Sequence, residues 1–210
     1  MLFSVKTRNF YPELSGKYTV GILGGSFDPP HKAHIELAKA AFAQCGLNRL
    51  LFVPARQAAL KTNVACATGR QRAEMLRICA EKLDFDWRIE PFELSREGVS
   101  YSIDTARYLA EKYPNADLVW IIGSDHIGKL SAWRDIESLC KIVRFACAGR
   151  PRCPLKDGSL PKNARIDFLD FAPMDVSSTS IRADIAAGND TRAALDSDVI
   201  LYIKTNKLYQ

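Results

Sequence analysis

The amino-acid sequence predicts an α/β fold, with one domain and a mostly parallel sheet that has helices on both faces. Short and wholly apolar runs, such as 50–53 and 118–122, are typical of strands in a parallel sheet that is covered on both sides. Segments with apolar residues at helical spacing lie between these runs, beginning with Ile35, Ala38 and Phe42. Strands that alternate with helices in this way are typical of parallel sheets.

The same patterns place the individual elements. Strands are expected near residues 18–24, 50–53, 87–90, 118–122, 142–148 and 166–169. Helices are expected near residues 32–45, 69–83, 102–113, 134–140, 177–187 and 196–206. Thr68 is the expected N-cap of the second helix, and Ser102 or Asp104 that of the third. Gly46 and Gly188 are expected to end the first and fifth helices.

Length and composition are those of an ordinary globular protein. With 210 residues, 47% of them hydrophobic, the chain is long enough for one domain with a full core. We expect residues 1–17 to form a polar N-terminal extension and residues 18–210 to form a single domain. The formal net charge of +5 is too small to indicate a nucleic-acid partner, and it equally suits an enzyme that handles polyanionic nucleotides.

The sequence also bears on location and on metals. It has no run of about 18 apolar residues, and residues 1–17 lack the apolar core of a secretory signal, so we expect a cytoplasmic protein with no membrane partner. The six cysteines are irregularly spaced without a Cys-x-x-Cys pair, and they are expected to be reduced thiols. A zinc site of Cys140, Cys147 and Cys153 is the less favoured alternative, since their spacing is not that of metal ligands.

The most informative stretch is 24–34, which reads GGSFDPPHKAH and lies between the first strand and the first helix. Glycines allow the backbone to approach a ligand, and a helix N-terminus attracts anions. His31 and His34 lie three residues apart and therefore share a helix face. The stretch is neither a Walker A loop nor a Gly-x-Gly-x-x-Gly turn. It indicates a phosphate site; a structural turn with a structural histidine is the alternative.

A second stretch, residues 177–182, starts a later helix with the sequence SSTSIR. One hydroxyl suffices for a cap, and a cation is normally disfavoured at a helix N-terminus because of the dipole. The surplus of hydroxyls together with Arg182 therefore suggests a polyphosphate at this helix end. A capped helix with a solvated arginine is the simpler alternative.

Taken together, the two stretches resemble a family. Gly-x-Phe-x-Pro-x-His-x-x-His near the start and Ser-Ser-Thr-x-Ile-Arg near the end are similar to motifs of the HxGH nucleotidyltransferases, which have a Rossmann-like fold, and more narrowly of the bacterial nicotinate-nucleotide adenylyltransferases. The likeness runs from Val20 to Tyr209 and includes segments 52–55, 100–105, 121–125, 132–133, 149–151 and 199–203. The chain departs from the family in three places: Ala33 replaces the glycine of HxGH, the loop before Lys61 lacks the usual histidine, and the stretch before the hydroxyl-rich motif is short.

The resemblance implies adenylyl transfer from ATP to nicotinate mononucleotide in NAD biosynthesis, with Mg²⁺ bound through the ATP phosphates and no protein metal ligand. It implies that the catalytic residues are His31, His34 and Arg182. The implied ATP-binding residues are Gly24, Gly25, Ser26, Phe27, Lys61, Gly123, Asp125, Ser178 and Thr179. The implied mononucleotide-binding residues are Tyr101, Ser102, Trp133 and Arg150, with a purely structural role in the core as the alternative for Trp133.

Other functions stay open at this stage. Within the superfamily, the acceptor could be nicotinamide mononucleotide or, less favoured, phosphopantetheine. The same fold could also serve as a non-catalytic nucleotide-binding module. A nucleic-acid-binding protein is a third class, but the basic residues, Arg70 and Arg72 among them, are dispersed and not striped along one face. The sequence carries no indication of oligomeric state.

Overall fold

The fold was analysed in a computed structural model. It describes residues 16–57, 65–149, 160–172 and 174–210. Most of the expected N-terminal extension lies outside these ranges, as do Lys61, Arg150 and Cys153. The division of the chain into an extension and one domain stays a prediction.

Within the described ranges, the sheet has six strands, and all the pairs of neighbours are parallel. The strands are β1 (Tyr18–Gly25), β2 (Arg49–Pro54), β3 (Trp87–Ile89), β4 (Ala116–Gly123), β5 (Val143–Ala148) and β6 (Ile166–Leu169). Their order across the sheet is β3-β2-β1-β4-β5-β6. The strands β1, β2 and β3 follow one another toward one edge of the sheet. The strands β4, β5 and β6 start beside β1 and follow one another toward the other edge.

Helices connect the strands in the described part of the chain. They are α1 (Lys32–Gln44), α2 (Gly69–Ala80), α3 (Ser102–Lys112), α4 (Ser124–Ile127), α5 (Ile136–Ile142), α6 (Ser178–Ala186) and α7 (Ser197–Thr205). A single 3₁₀ turn at Leu130–Ala132 precedes α5. Thr68 caps α2 as expected, its hydroxyl accepting a hydrogen bond from the Gln71 N–H. Gly46 and Gly188 follow α1 and α6 with φ of 60° and 74°, the conformation that suits a helix stop.

The core lies on both faces of the sheet, as the sequence predicted. Alternate side chains of β2 point to opposite faces: Leu51 and Val53 pack with α3 and α5, whereas Leu50 and Phe52 pack with α1 and α2. A third apolar cluster joins α2, α6 and α7. The prediction of an α/β Rossmann-like fold is confirmed.

Two sequence expectations were wrong in detail. The N-cap of α3 is Tyr101, in extended conformation, and not Ser102 or Asp104, which are already helical. The turn after β4 continues directly into the four-residue helix α4, which is too short to show a helical period in the sequence.

No helix among the described residues has the length and apolarity that crossing a bilayer requires. Over the same residues, no group of three or more His, Cys, Asp or Glu side chains is arranged to hold a metal ion. Burial raises the pKa of the Cys79 thiol to about 12 and that of Cys147 to about 11, so these two thiols stay protonated at neutral pH.

Candidate active site

An open cleft of about 760 Å³ lies at the carboxyl ends of β1 and β4. This is the point where the strand order reverses, which is where ligands bind in open parallel sheets. The ends of both strands and the first turns of α1, α3 and α6 form its wall. The topology therefore brings together stretches that lie up to about 150 residues apart in the sequence.

The first part of the wall is the segment between β1 and α1. Phe27 adopts φ of 49°, an unusual value for a residue other than glycine. Its buried ring lies edge-on to the rings of His34, at 4.9 Å, and Phe52, at 6.3 Å. A methyl group on Gly25 would come within 3.1 Å of the Phe27 ring, so glycine lets the segment fold back this closely. The packed Phe27 ring thus fixes the position of His34.

His31 and His34 stack with their ring centroids 3.7 Å apart, and both line the cleft. The backbone N–H of His31 donates to Nδ1 of His34 over 3.2 Å. Because a ring nitrogen that accepts a hydrogen bond carries no proton, the neutral His34 ring carries its proton on Nε2. The start of α1 thus sets the tautomer of His34 and makes Nε2 a donor.

Hydrogen bonds of the buried Asp28 and Arg72 side chains hold this segment in place. Neither residue was predicted from the sequence to be part of the site. Asp28 is 4% exposed, and its carboxylate accepts the N–H groups of Cys66 and Ala67 at 2.7 and 3.0 Å. Arg72 is 2% exposed and donates to the carbonyls of Ser26 at 2.5 Å and Ala55 at 2.8 Å. Burial lowers the pKa of the Arg72 guanidinium, and the nearby Asp28 carboxylate opposes that shift. Asp28 stands inside the first motif, so its position there was the available signal.

The first turn of α6 forms the wall of the cleft opposite the segment between β1 and α1. Ser177 caps the helix, accepting the Ser180 N–H at 3.1 Å, and it lines the cleft together with Ser178 and Thr179. The Ser178 hydroxyl donates to the carbonyl of Pro29 over 2.9 Å, which joins the two sequence motifs directly. The hydroxyls therefore divide their roles, with one for the cap and one for the link between motifs.

Arg182 lies behind these hydroxyls and is not among the residues that line the cleft. Its Nη1 donates to the Asp28 carbonyl at 2.7 Å, and its Nη2 lies 3.5 Å from the Thr179 hydroxyl. The alternative of a solvated arginine is wrong for this conformation, since the side chain is only 25% exposed. The Arg182 side chain thus contacts the first motif at the backbone carbonyl of Asp28.

The end of β4 carries Gly123 and Asp125, both in the wall of the cleft. A methyl group on Gly123 would lie 2.5 Å from Oδ1 of Asp125, so glycine leaves room for this carboxylate. Asp125 is 73% exposed, and its Oδ2 lies 3.6 Å from Nε2 of His126. An exposed carboxylate at this place can accept hydrogen bonds from ligand hydroxyls. His126 lines the same wall and was not singled out from the sequence.

Aromatic residues dominate the far end of the cleft. Trp133 lines it and also packs against the main core, lying edge-on to Trp120 and Phe145 at 6.4 and 6.3 Å. Trp133 therefore has the core packing of the structural alternative and also a place in the wall of the cleft, whereas its contact with the mononucleotide stays a prediction. Tyr101 lies beside it in the wall, with the Arg134 guanidinium 4.5 Å above its ring. Flat apolar faces with polar edges suit a heteroaromatic ring.

Ser102 and Glu93 complete this end. Glu93 is 8% exposed and accepts the Thr105 hydroxyl at 2.6 Å. Burial raises the pKa of the Glu93 carboxyl, and its hydrogen bonds oppose the shift. Glu93 was not singled out from the sequence, because a single glutamate in a loop gives no pattern.

The structure brings most of the residues expected at the site into one cleft. Those in the wall are Gly24, Gly25, Ser26, Phe27, His31, His34, Tyr101, Ser102, Gly123, Asp125, Trp133, Ser178 and Thr179. Arg182 lies just behind the wall, and Lys61 and Arg150 lie outside the described residues.

Comparison with known proteins agrees with this architecture. The cytidylyltransferase-like family model matches residues 22–184. A protein of Opitutus terrae described as a probable nicotinate-nucleotide adenylyltransferase is 37% identical over 191 residues, which cover 91% of this chain and 97% of the relative. A protein of Listeria innocua with the same description is 39% identical over 193 residues, covering 92% of this chain and 98% of the relative.

A solved structure supports the fold independently. The nicotinic acid mononucleotide adenylyltransferase of Plasmodium falciparum, complexed with NaAD, superimposes with a TM-score of 0.74 at 20% identity. The match covers 91% of this chain and 97% of that one. The chain therefore belongs to the cytidylyltransferase-like family and, within it, to the nicotinate-nucleotide adenylyltransferases.

Proposed function

We propose that this protein transfers the adenylyl group of ATP to nicotinate mononucleotide, giving nicotinate adenine dinucleotide and pyrophosphate. The observation that carries the proposal is the direct link between the two motifs, where Ser178 donates to the Pro29 carbonyl beside the stacked histidines. Two helix N-termini thus converge on one cleft at the reversal of strand order. Such an arrangement suits a polyphosphate.

The reaction needs positioning more than acid–base chemistry. The phosphate of the mononucleotide is already a nucleophile at neutral pH, so no general base and no covalent intermediate is required. Its oxygen attacks the α-phosphorus of ATP as the bond to the β-phosphate bridging oxygen breaks, and pyrophosphate departs with that electron pair. Catalysis then consists of aligning two polyanions and stabilising the charge that develops on the phosphoryl oxygens.

His34 is suited to that stabilisation. With Nδ1 held by the His31 backbone N–H, its Nε2–H can donate to an α-phosphoryl oxygen without a preceding proton transfer. His31 stacks on it and would contribute a second imidazole on the same side. The backbone of Gly24, Gly25, Ser26 and Phe27 would follow the phosphates along the cleft.

The other contacts follow from the ends of the cleft. Ser178, Thr179 and Arg182 would bind the β- and γ-phosphates, and Arg182 is close enough to exchange part of its contact with the Asp28 carbonyl for a phosphate. Gly123 and Asp125 would bind the ribose of ATP. The substrate would be MgATP, in which Mg²⁺ binds the phosphates and water. In the described part of the wall the carboxylates are Glu93 and Asp125, so a metal carried by the phosphates fits better than a metal held by side chains.

The aromatic end would bind the acceptor. Trp133 would stack on the pyridine ring, with Tyr101 and Ser102 at its edge. Contacts of Lys61 with ATP and of Arg150 with the mononucleotide stay predictions, as does a cytoplasmic location.

The test is a comparison of acceptors. kcat/KM would be measured with MgATP and, separately, nicotinate mononucleotide, nicotinamide mononucleotide and phosphopantetheine, following formation of the adenylylated acceptor and release of pyrophosphate together. We expect nicotinate mononucleotide to be the best acceptor. A higher kcat/KM for either of the others would reassign the substrate, and binding of ATP without turnover of any acceptor would favour the non-catalytic module.

A further inference from the structure

The last residues of the described chain reach the middle of the first motif. The hydroxyl of Tyr209 donates to Oδ1 of Asp28 over 2.7 Å, between residues 181 positions apart. Asp28 lies in neither a strand nor a helix, and its carboxylate also accepts the N–H groups of Cys66 and Ala67. The Tyr209 hydroxyl therefore adds a side-chain donor to a buried carboxylate that also accepts two main-chain N–H groups and has Nη1 of Arg182 3.9 Å from its Oδ2.

The path to Tyr209 is well defined. After α7 the chain turns with φ of 51° at Lys207 and 62° at Tyr209, and Leu208 and Tyr209 pack against the apolar cluster of α2, α6 and α7. Burial raises the pKa of Tyr209 well above its ordinary value, and the hydrogen bond to Asp28 raises it further. The hydroxyl thus remains protonated and able to donate at all pH values at which the protein would work.

Asp28 is the place where the two motifs meet. Its own carbonyl accepts Arg182, and the carbonyl of the next residue, Pro29, accepts Ser178. The residue before it, Phe27, holds the His34 ring. Because the Asp28 carboxylate is hydrogen-bonded to the N–H groups of Cys66 and Ala67 and to the Tyr209 hydroxyl, these bonds restrain the main chain on which all of these contacts depend.

We propose that Tyr209 is a positioning residue for ATP: its hydroxyl fixes the carboxylate of Asp28, and through it the carbonyls that orient Arg182 and Ser178. The inference rests on the proposed role of these two side chains in binding ATP. Tyr209 does not line the cleft and touches no substrate in this account. Loss of the Tyr209 hydroxyl would weaken binding at the ATP end of the cleft. It would leave binding at the aromatic end unchanged, because Tyr209 makes no contact there.

The test is Tyr209→Phe, with Tyr202→Phe as the matched control. Phenylalanine keeps the packed ring and removes the donor to Asp28. Tyr202 packs in the same apolar cluster, but its hydroxyl has no role in the contacts that hold Asp28. We expect Tyr209→Phe to raise the KM for ATP about five- to ten-fold, since a hydrogen bond to a charged group is lost, while the KM for the mononucleotide and the values for Tyr202→Phe change less than about two-fold.

A merely structural role would give a different result. Tyr209→Phe would then lower the melting temperature without changing the ratio of the two KM values, and that outcome would overturn the proposal. The same comparison made by calorimetry with MgATP alone separates the inference from the proposed reaction. A weaker affinity in Tyr209→Phe supports the positioning role even if the wild-type protein turns over no mononucleotide, and an unchanged affinity contradicts it.

A double-mutant cycle identifies the route. If Tyr209 acts through Arg182, then Tyr209→Phe in an Arg182→Ala background adds less than about a two-fold loss of ATP affinity. Independent and additive losses would contradict the coupling through Asp28.

Discussion

The two ends of the cleft are built in different ways. At the end formed by the first turns of α1 and α6, here called the phosphate end, buried or partly buried charged groups bind main-chain atoms: Asp28 accepts backbone N–H groups, and Arg72 and Arg182 donate to carbonyls. At the aromatic end, Trp133 and Tyr101 are held by ring packing and by a guanidinium above the ring. Hydrogen bonds therefore hold the backbone in place at the phosphate end, whereas ring contacts hold the orientation of aromatic side chains at the other end.

The difference fits what each end would recognise in the proposed reaction. Charge that develops on phosphoryl oxygens is stabilised only by donors at hydrogen-bond distance, so small displacements are costly. Stacking on a ring tolerates sliding, because dispersion and quadrupole interactions change gradually with offset. We therefore expect substitutions at the phosphate end to reduce turnover or ATP binding steeply, and substitutions at the aromatic end to weaken acceptor binding moderately.

The largest effect is expected for His34→Ala. Loss of one preorganised donor to the phosphoryl group should lower kcat by about two orders of magnitude or more. Steady-state kinetics at saturating substrates would measure it. Lys39→Ala is the control on the outer face of the same helix, where Lys39 pairs with Glu36. Near-normal kcat in His34→Ala would remove His34 from the mechanism.

Arg182→Ala should come next. We expect a loss of about 30-fold in kcat/KM for ATP, the scale of a charge-assisted hydrogen bond, and similarly weaker inhibition by pyrophosphate. Arg192→Ala, an exposed arginine paired with Asp190, is the control. If only the KM for the mononucleotide changed, the mononucleotide would bind at the end assigned here to the ATP phosphates, and the two assignments would be reversed.

The sequence alone predicts more of the fold than of the site. The apolar runs in β2 and β4 predicted the sheet, because a continuous run is what burial on both faces requires. The two motifs predicted a shared phosphate site, and the structure brings both of them into one cleft, while the binding of phosphate there stays a prediction. The resemblance to the family added the residues of the aromatic end.

The anchoring groups could not be predicted in the same way. Arg72 lies in an ordinary amphipathic helix, and only the fold shows that it points inward to the carbonyls of Ser26 and Ala55. The contact of Tyr209 with Asp28 joins residues 181 positions apart, and such a distant pair leaves no periodic signal. The tautomer of His34 likewise depends on a backbone donor, which no side-chain pattern records.

Trp133→Leu tests the aromatic end. We expect the KM for nicotinate mononucleotide to rise about ten-fold, the scale of one lost aromatic stack, with the KM for ATP unchanged. Trp87→Leu removes a tryptophan from the edge strand β3, away from the cleft, and should leave both KM values near those of the wild type. An equal rise in both KM values for Trp133→Leu would indicate a structural role in the core.

The smallest effect is expected for Glu93→Gln, measured as the free energy of unfolding in urea at pH 5 and pH 8. Burial raises the pKa of Glu93 above the ordinary value of a glutamate, so the folded protein binds this proton more tightly than the unfolded chain. Relative to the variant, wild-type stability should therefore fall as pH rises through the pKa of the folded carboxyl. A relative gain in wild-type stability at pH 8 would show that the charged carboxylate is favoured in the fold.

The central claim is that the two helix starts orient ATP so that its α-phosphorus is attacked by the phosphate of a pyridine mononucleotide. The most direct measurement follows ATP labelled at the α-phosphate during a single turnover with nicotinate mononucleotide. We expect the label to enter nicotinate adenine dinucleotide, with one unlabelled pyrophosphate released for each dinucleotide formed. Label recovered in ADP with release of phosphate, or in AMP without a dinucleotide, would contradict it.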